Sequence, residues 1–134
     1  MKLVINAVLL SVSLLSVIVN AQPYGPERER ARNRAIDSTK QIEKLYQQVH
    51  AELTKKGITG EIAHDDYAIK LLEVGYKQWK ELRDMQCALD AQIQIYPSDS
   101  RLYMQVYNGC VADKNKKHKH YLKNIKNEID AANM

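Results

Sequence analysis

The 134-residue chain contains no phenylalanine, one tryptophan, two cysteines, three prolines and five glycines. Without Phe, aromatic burial falls to Trp79 and eight tyrosines. Tyrosine keeps one end of its ring in water, which suits a thin core or an exposed binding face. No segment alternates apolar and polar residues as a strand does, and no Asn-Gly hairpin signal occurs, so a β architecture is excluded. The chain has no internal repeat and no long low-complexity segment.

Catalytic signatures are missing as well. There is no Gly-x-Ser-x-Gly elbow, no phosphate-cradling glycine loop and no His-Glu-x-x-His. His118 and His120 lie two apart, on different sides of a helix, and His50 and His64 are isolated, which is poor spacing for a metal. The adjacent Asp65 and Asp66 point apart on a helix and read as a helix start. The sequence therefore argues against an enzyme, against a cofactor and against a structural metal, and favours a binding protein.

What is present begins with an export pattern. Met1 and Lys2 give a positive start, and residues 3–19 are apolar apart from Asn6, Ser11, Ser13 and Ser16. Val19-Asn20-Ala21 then places small or medium side chains before a cut at Gln22, the order of a secretory signal peptide. The competing reading is an uncleaved anchor, which needs about 20 uninterrupted apolar residues. Cleavage leaves 113 residues, one modest domain, with 19 Lys and Arg against 16 Asp and Glu. A net charge of +3 permits contact with anionic surfaces without demanding it. Export disfavours nucleic acid as a partner.

In an oxidising compartment Cys87 and Cys110 are expected to form a disulfide, with two free buried thiols as the alternative. The bridge would stabilise the fold by roughly 3 kcal/mol through loop closure.

Residues 22–35 read as a linker and a charged arm, the run Glu27–Arg34 being either a solvated helix start or a frayed arm. Residues 36–134 read as the helical domain. Ile42, Leu45, Val49 and Leu53 repeat at helical spacing, with Gly57 as the stop. A second stripe comprises Ile69, Leu72, Tyr76 and Trp79, widening to Leu82, Met85, Cys87 and Leu89. Gly75 inside it is expected to let a neighbouring helix approach. Pro97 breaks the chain. Leu102, Val106 and Cys110 then lead to Tyr121, Ile125 and Ile129. The expected fold is all-α: an antiparallel three-helix bundle with one inter-helix disulfide, preceded by a signal peptide. The strongest charge feature is the run holding Lys114, Lys116, Lys117, Lys119 and Lys123, readable as a patch for an anionic partner or as a solvated helix face.

One segment is more specific. Tyr76-Lys77-Gln78-Trp79-Lys80-Glu81-Leu82-Arg83-Asp84-Met85-Gln86-Cys87, followed by Cys110, resembles the LprI-like lysozyme-inhibitor family of exported bacterial helical domains. Ile42-Glu43-Lys44-Leu45-Tyr46-Gln47-Gln48 resembles that family's first helix motif in weakened form, so the likeness spans roughly residues 36–125. It implies a periplasmic or secreted protein that binds a protein partner, with a lysozyme as the family's candidate. Trp79, Arg83 and Cys87 are four apart and share a helix face. They read as scaffold, with Trp79 beneath the disulfide and Asp84 reaching a neighbouring helix or loop. Two functions remain open: inhibition of a lysozyme-type muramidase by steric occlusion, or an envelope interaction module without lysozyme-directed activity. The pattern specifies no oligomeric state.

Overall fold

The computed structural model describes residues 25–95 and 100–134. The signal-peptide residues 1–21 and the Pro97 break lie outside them. Three long helices account for nearly everything described: α1 (Gly25–Lys56), α2 (Ile62–Gln94) and α3 (Ser100–Ala132), with no strand among the described residues.

Side-chain pairs show how the helices run. Glu27 meets Gln105, Ser38 meets Asn115, Gln41 meets Lys119 and Lys56 meets Asp130, separations of 74 to 78 residues throughout. A constant separation means that α1 and α3 are parallel and in register. Helix α2 runs against both, pairing His50 with Glu73 and Glu43 with Tyr76 on one side, and Arg83 with Asn115 on the other. The bundle is up-down-up, with α1 and α3 packed most extensively and α2 laid along their seam.

The register follows from a seven-residue pattern. Ala35, Ile42 and Val49 are buried on α1, and Asn115, Leu122 and Ile129 on α3. That spacing keeps one seam facing its neighbour along both helices, as in a coiled coil. The buried stripe of α3 therefore runs through Val111, Asn115 and Leu122, one residue beyond the expected Cys110 and Tyr121; Tyr121 is exposed. The charged segment 25–35 forms the first three turns of α1. It is helical because Ala31 and Ala35 supply a small buried face under its exposed arginines.

Helix α1 ends at Gly57, whose φ of +66° suits a residue without a Cβ. Its N–H donates to the Leu53 carbonyl. A Cβ there would collide with the Asp65 carboxylate. That carboxylate accepts from the Ile58 and Thr59 N–H groups and the Thr59 hydroxyl, closing the turn onto the start of α2. These bonds hold its pKa below the usual carboxylate range. Gly75 plays no such part: a Cβ would meet nothing within 4 Å, so no helix approaches there.

Two apolar clusters fill the bundle. The larger joins Ile42, Val49, Leu53, Tyr76, Leu122 and Ile129, with Trp79 packed against it. The smaller joins Ala35, Cys87 and Val111. Trp79 thus packs two turns away from the disulfide rather than beneath it. Leu82, Met85 and Leu89 do not widen the buried face of α2 but stand exposed. The reason is layering: α2 has α1 and α3 on one side and no described element over the other.

Cys87 and Cys110 are bonded, with Cα atoms 5.5 Å apart, pinning α2 to α3 across the Pro97 break. Replacing Cys87 with Ser should lower the melting temperature by more than about 10 °C, given roughly 3 kcal/mol from loop closure. Melts of wild type and variant in oxidising buffer test this; coincident curves would show that the bridge contributes little.

Candidate functional site

The three helices meet at a buried polar junction. Asn115, only 1% exposed, donates from Nδ2 to Ser38 Oγ at 2.9 Å and Thr39 Oγ1 at 3.0 Å, both on α1. Its Oδ1 accepts from Arg83 Nη1 at 2.8 Å on α2. Ser38 passes its own proton to the Ala35 carbonyl. Arg83 is buried, and its Nε and Nη2 reach Asp84 Oδ1 at 2.8 and 2.7 Å. Asp84 therefore braces its own neighbour's guanidinium rather than another helix or loop. Every charged or amide group at this junction has a partner, the condition under which a buried polar network stabilises.

Beside the junction an aromatic stack faces outward between α2 and α3. Trp79 lies parallel to His118 at 3.7 Å between ring centroids, and Arg83 sits 5.1 Å from the Trp79 ring. Tyr121 leans on His118 at 5.2 Å. On the inner side Tyr76 stacks on Tyr46 at 3.9 Å and donates its hydroxyl proton to Glu43 at 2.9 Å. Burial, then the Glu43 bond, drives the Tyr76 phenol pKa upward, so it stays protonated. Burial, with Arg83 nearby, pushes His118 down to about 4, so its ring stays neutral at ordinary pH.

Trp79 and His118 form the floor of a groove of about 290 Å³, walled by Leu82, Gln86, Lys114, Lys117 and Tyr121. Lys114 closes one end through a 2.8 Å hydrogen bond to Gln86. The groove offers two ammonium groups, from Lys114 and Lys117, beside the Trp79–His118 ring pair, while the Arg83 guanidinium beneath is committed to Asn115 and Asp84. That combination can hold an acidic or aromatic side chain presented by a partner.

The basic run does not form one patch. Lys114 and Lys117 border the groove, Lys119 turns to Gln41 on α1, and Lys116 and Lys123 are exposed. Asn115 sits buried in the middle of the same run. The arm arginines Arg30 and Arg34 line a separate, larger hollow of about 850 Å³ with Glu27, Asp37 and Gln105, where the charges are mixed. Sequence reasoning missed Asn115 and the His118–Trp79 stack. The available signal was their place in the seven-residue seam: Asn115 falls seven before Leu122, and His118 seven after Val111.

The fold is a small all-helical domain pinned by a disulfide, with a groove on its α2–α3 edge. The family model described as lysozyme inhibitor LprI matches residues 26–122, and the chain belongs to that family. No curated protein and no solved structure matches the chain.

Two outcomes test the site's construction. Asn115→Ala strands the Arg83 N–H and two hydroxyls, and should cost about 2 to 3 kcal/mol in chemical unfolding; a loss below 0.5 would contradict the network. For His118 the folded pKa of about 4 lies below the ordinary imidazole value of 6.5, so the unfolded chain takes the proton first. Stability should be full above pH 6.5 and fall as pH drops toward 4, and the sole tryptophan's fluorescence should titrate near the lower value. A midpoint near 6.5 would show that the stack leaves His118 in water.

Proposed function

We propose that the protein is exported and inhibits a lysozyme-type muramidase by steric occlusion, without making or breaking covalent bonds. Membership of the lysozyme-inhibitor family across residues 26–122 carries this reading. The disulfide fits export to an oxidising compartment. Among the described residues no helix is long and apolar enough to cross a membrane. Residues 1–21 serve as the cleaved signal.

The α2–α3 edge is the contact surface. A lysozyme's glycan cleft is concave and holds a pair of carboxyl groups. A convex helix edge bearing Lys117 and the exposed Tyr121 can enter such a cleft, cover it against the glycan and set an ammonium beside the carboxylates. The Trp79–His118 stack behind them is rigid, so little side-chain freedom is lost on binding. Lys114, beside Lys117 on the groove, adds favourable charge, while Lys116 and Lys123 lie on the opposite face of α3.

The test is a cell-wall lysis assay with the mature protein, beginning at Gln22, against several lysozyme types. Wild type should inhibit at least one of them, and Lys117→Glu should weaken that inhibition tenfold or more while leaving the melting temperature unchanged. Absence of inhibition at micromolar excess across all types would remove this reading in favour of an envelope interaction module, which would be recovered with a specific envelope protein at low salt.

A further inference from the structure

The outer face of α2 carries a continuous apolar ridge that no described element covers. Tyr67, Leu71 and Val74 precede Gln78 on it, and Leu82, Met85 and Leu89 follow; each is 45–64% exposed. The face opposite holds the buried Tyr76, Arg83 and Cys87, so the ridge points directly away from the bundle.

The spacing of this ridge is symmetric. Counted from Gln78, its residues stand at 11, 7 and 4 positions before and at 4, 7 and 11 positions after. The repeat is 11 residues in three turns, close enough to the helix's own period that the ridge barely drifts around α2. The 22 residue steps from Tyr67 to Leu89 give it a length of about 33 Å. Gln78 also lies at the midpoint of Ile62–Gln94.

We propose that this ridge is the interface of a homodimer, formed by two antiparallel copies of α2 about a two-fold axis at Gln78. In that arrangement a residue n positions after Gln78 faces one n positions before it in the second copy. Tyr67 then meets Leu89, Leu71 meets Met85 and Val74 meets Leu82, each contact occurring twice, while the two Gln78 side chains face each other on the axis. A palindromic apolar pattern is what a self-complementary two-fold interface requires. Charge agrees. Lys70 and Lys77 lie on one flank of the ridge before the centre, and Glu81 and Asp84 on the same flank after it. Antiparallel pairing sets Lys77 within two residues, about 3 Å of rise, of Glu81 in the second copy, and Lys70 equally near its Asp84. Apart from Leu82, which walls the groove, and Leu71, which lines a small hollow with His118 and Tyr121, the ridge is separate from the proposed lysozyme contact.

Sedimentation of the mature chain alone, across a concentration series, tests the dimer, and no lysozyme is present, so this proposal and the inhibitor reading fail independently. Wild type should sediment as a dimer at high concentration. Met85→Glu, which places a charge at both ends of the interface, should raise the dimer dissociation constant a hundredfold or more with helix content by circular dichroism unchanged. Orientation is read with a short bismaleimide cross-linker, the native disulfide intact. Gln78→Cys should cross-link to itself, and Tyr67→Cys should cross-link to Leu89→Cys in a mixture but not to itself. A monomer at every concentration overturns the proposal. So does a dimer unaffected by Met85→Glu, or one in which Tyr67→Cys joins itself, the signature of parallel helices. A monomer whose ridge is shielded only on adding lipid vesicles overturns it in favour of a membrane-surface role.

Discussion

The hydrogen bond from Arg83 to Asn115 is the interaction on which the rest of the structure depends. A buried guanidinium and a buried amide are costly to desolvate and are tolerated only when their donors and acceptors are met. Asn115 satisfies Arg83 only if α2 is at one height against α3, and satisfies Ser38 and Thr39 only if α1 is at one height as well. Apolar contacts among Ile42, Val49, Leu122 and Ile129 would survive a slip of one heptad; this polar junction would not. It converts a generic three-helix bundle into one register.

The disulfide and the groove both follow from that register. Cys87 lies one turn beyond Arg83 on α2, and Cys110 lies just over one turn before Asn115 on α3, so locking the polar junction brings the sulfurs together. Trp79 lies one turn to the other side of Arg83, and His118 lies three residues after Asn115. The same alignment therefore stacks their rings. Burial, with the Arg83 guanidinium nearby, keeps His118 neutral, and a neutral imidazole stacks flat on indole without a desolvated charge. Scaffold and surface are consequently one construction. Residues that hold the helices together also prepare the α2–α3 edge.

At the far end a second network does similar work under different conditions. Lys126 and Lys56 both bond Asp130, and Lys126 reaches Glu52, tying the last turns of α1 and α3. The two lysines hold the Asp130 carboxyl down at about 2. These groups are solvated, so each pair contributes little alone, and their effect is to limit fraying of two parallel helix ends. Between the two networks the core is narrow, which explains how a chain without phenylalanine suffices: Tyr76 and Tyr46 stack inside while the Tyr76 hydroxyl reaches Glu43 at the bundle's edge.

The sequence by itself determined the helical class, the three-helix count, the Gly57 stop and the Cys87–Cys110 pairing. Helical periodicity, a glycine after a basic last turn and two cysteines behind a signal-like start are local or compositional signals. It also gave the family, through the segment from Tyr76 to Cys87. The α1 stripe through Ile42, Val49 and Leu53 lies inside as its spacing predicts, and the tertiary structure decided how wide the inward face of each helix is. A stripe of apolar residues does not say how wide the opposing surface is, so Leu82, Met85 and Leu89 read as core although, among the described residues, α2 has neighbours on one side alone. A polar residue in a basic run reads as solvated unless its seven-residue offset from Leu122 is weighed, so Asn115 was not singled out. Its value arises from Ser38, Thr39 and Arg83, which lie 77, 76 and 32 residues away in the chain and meet only when three helices close around it.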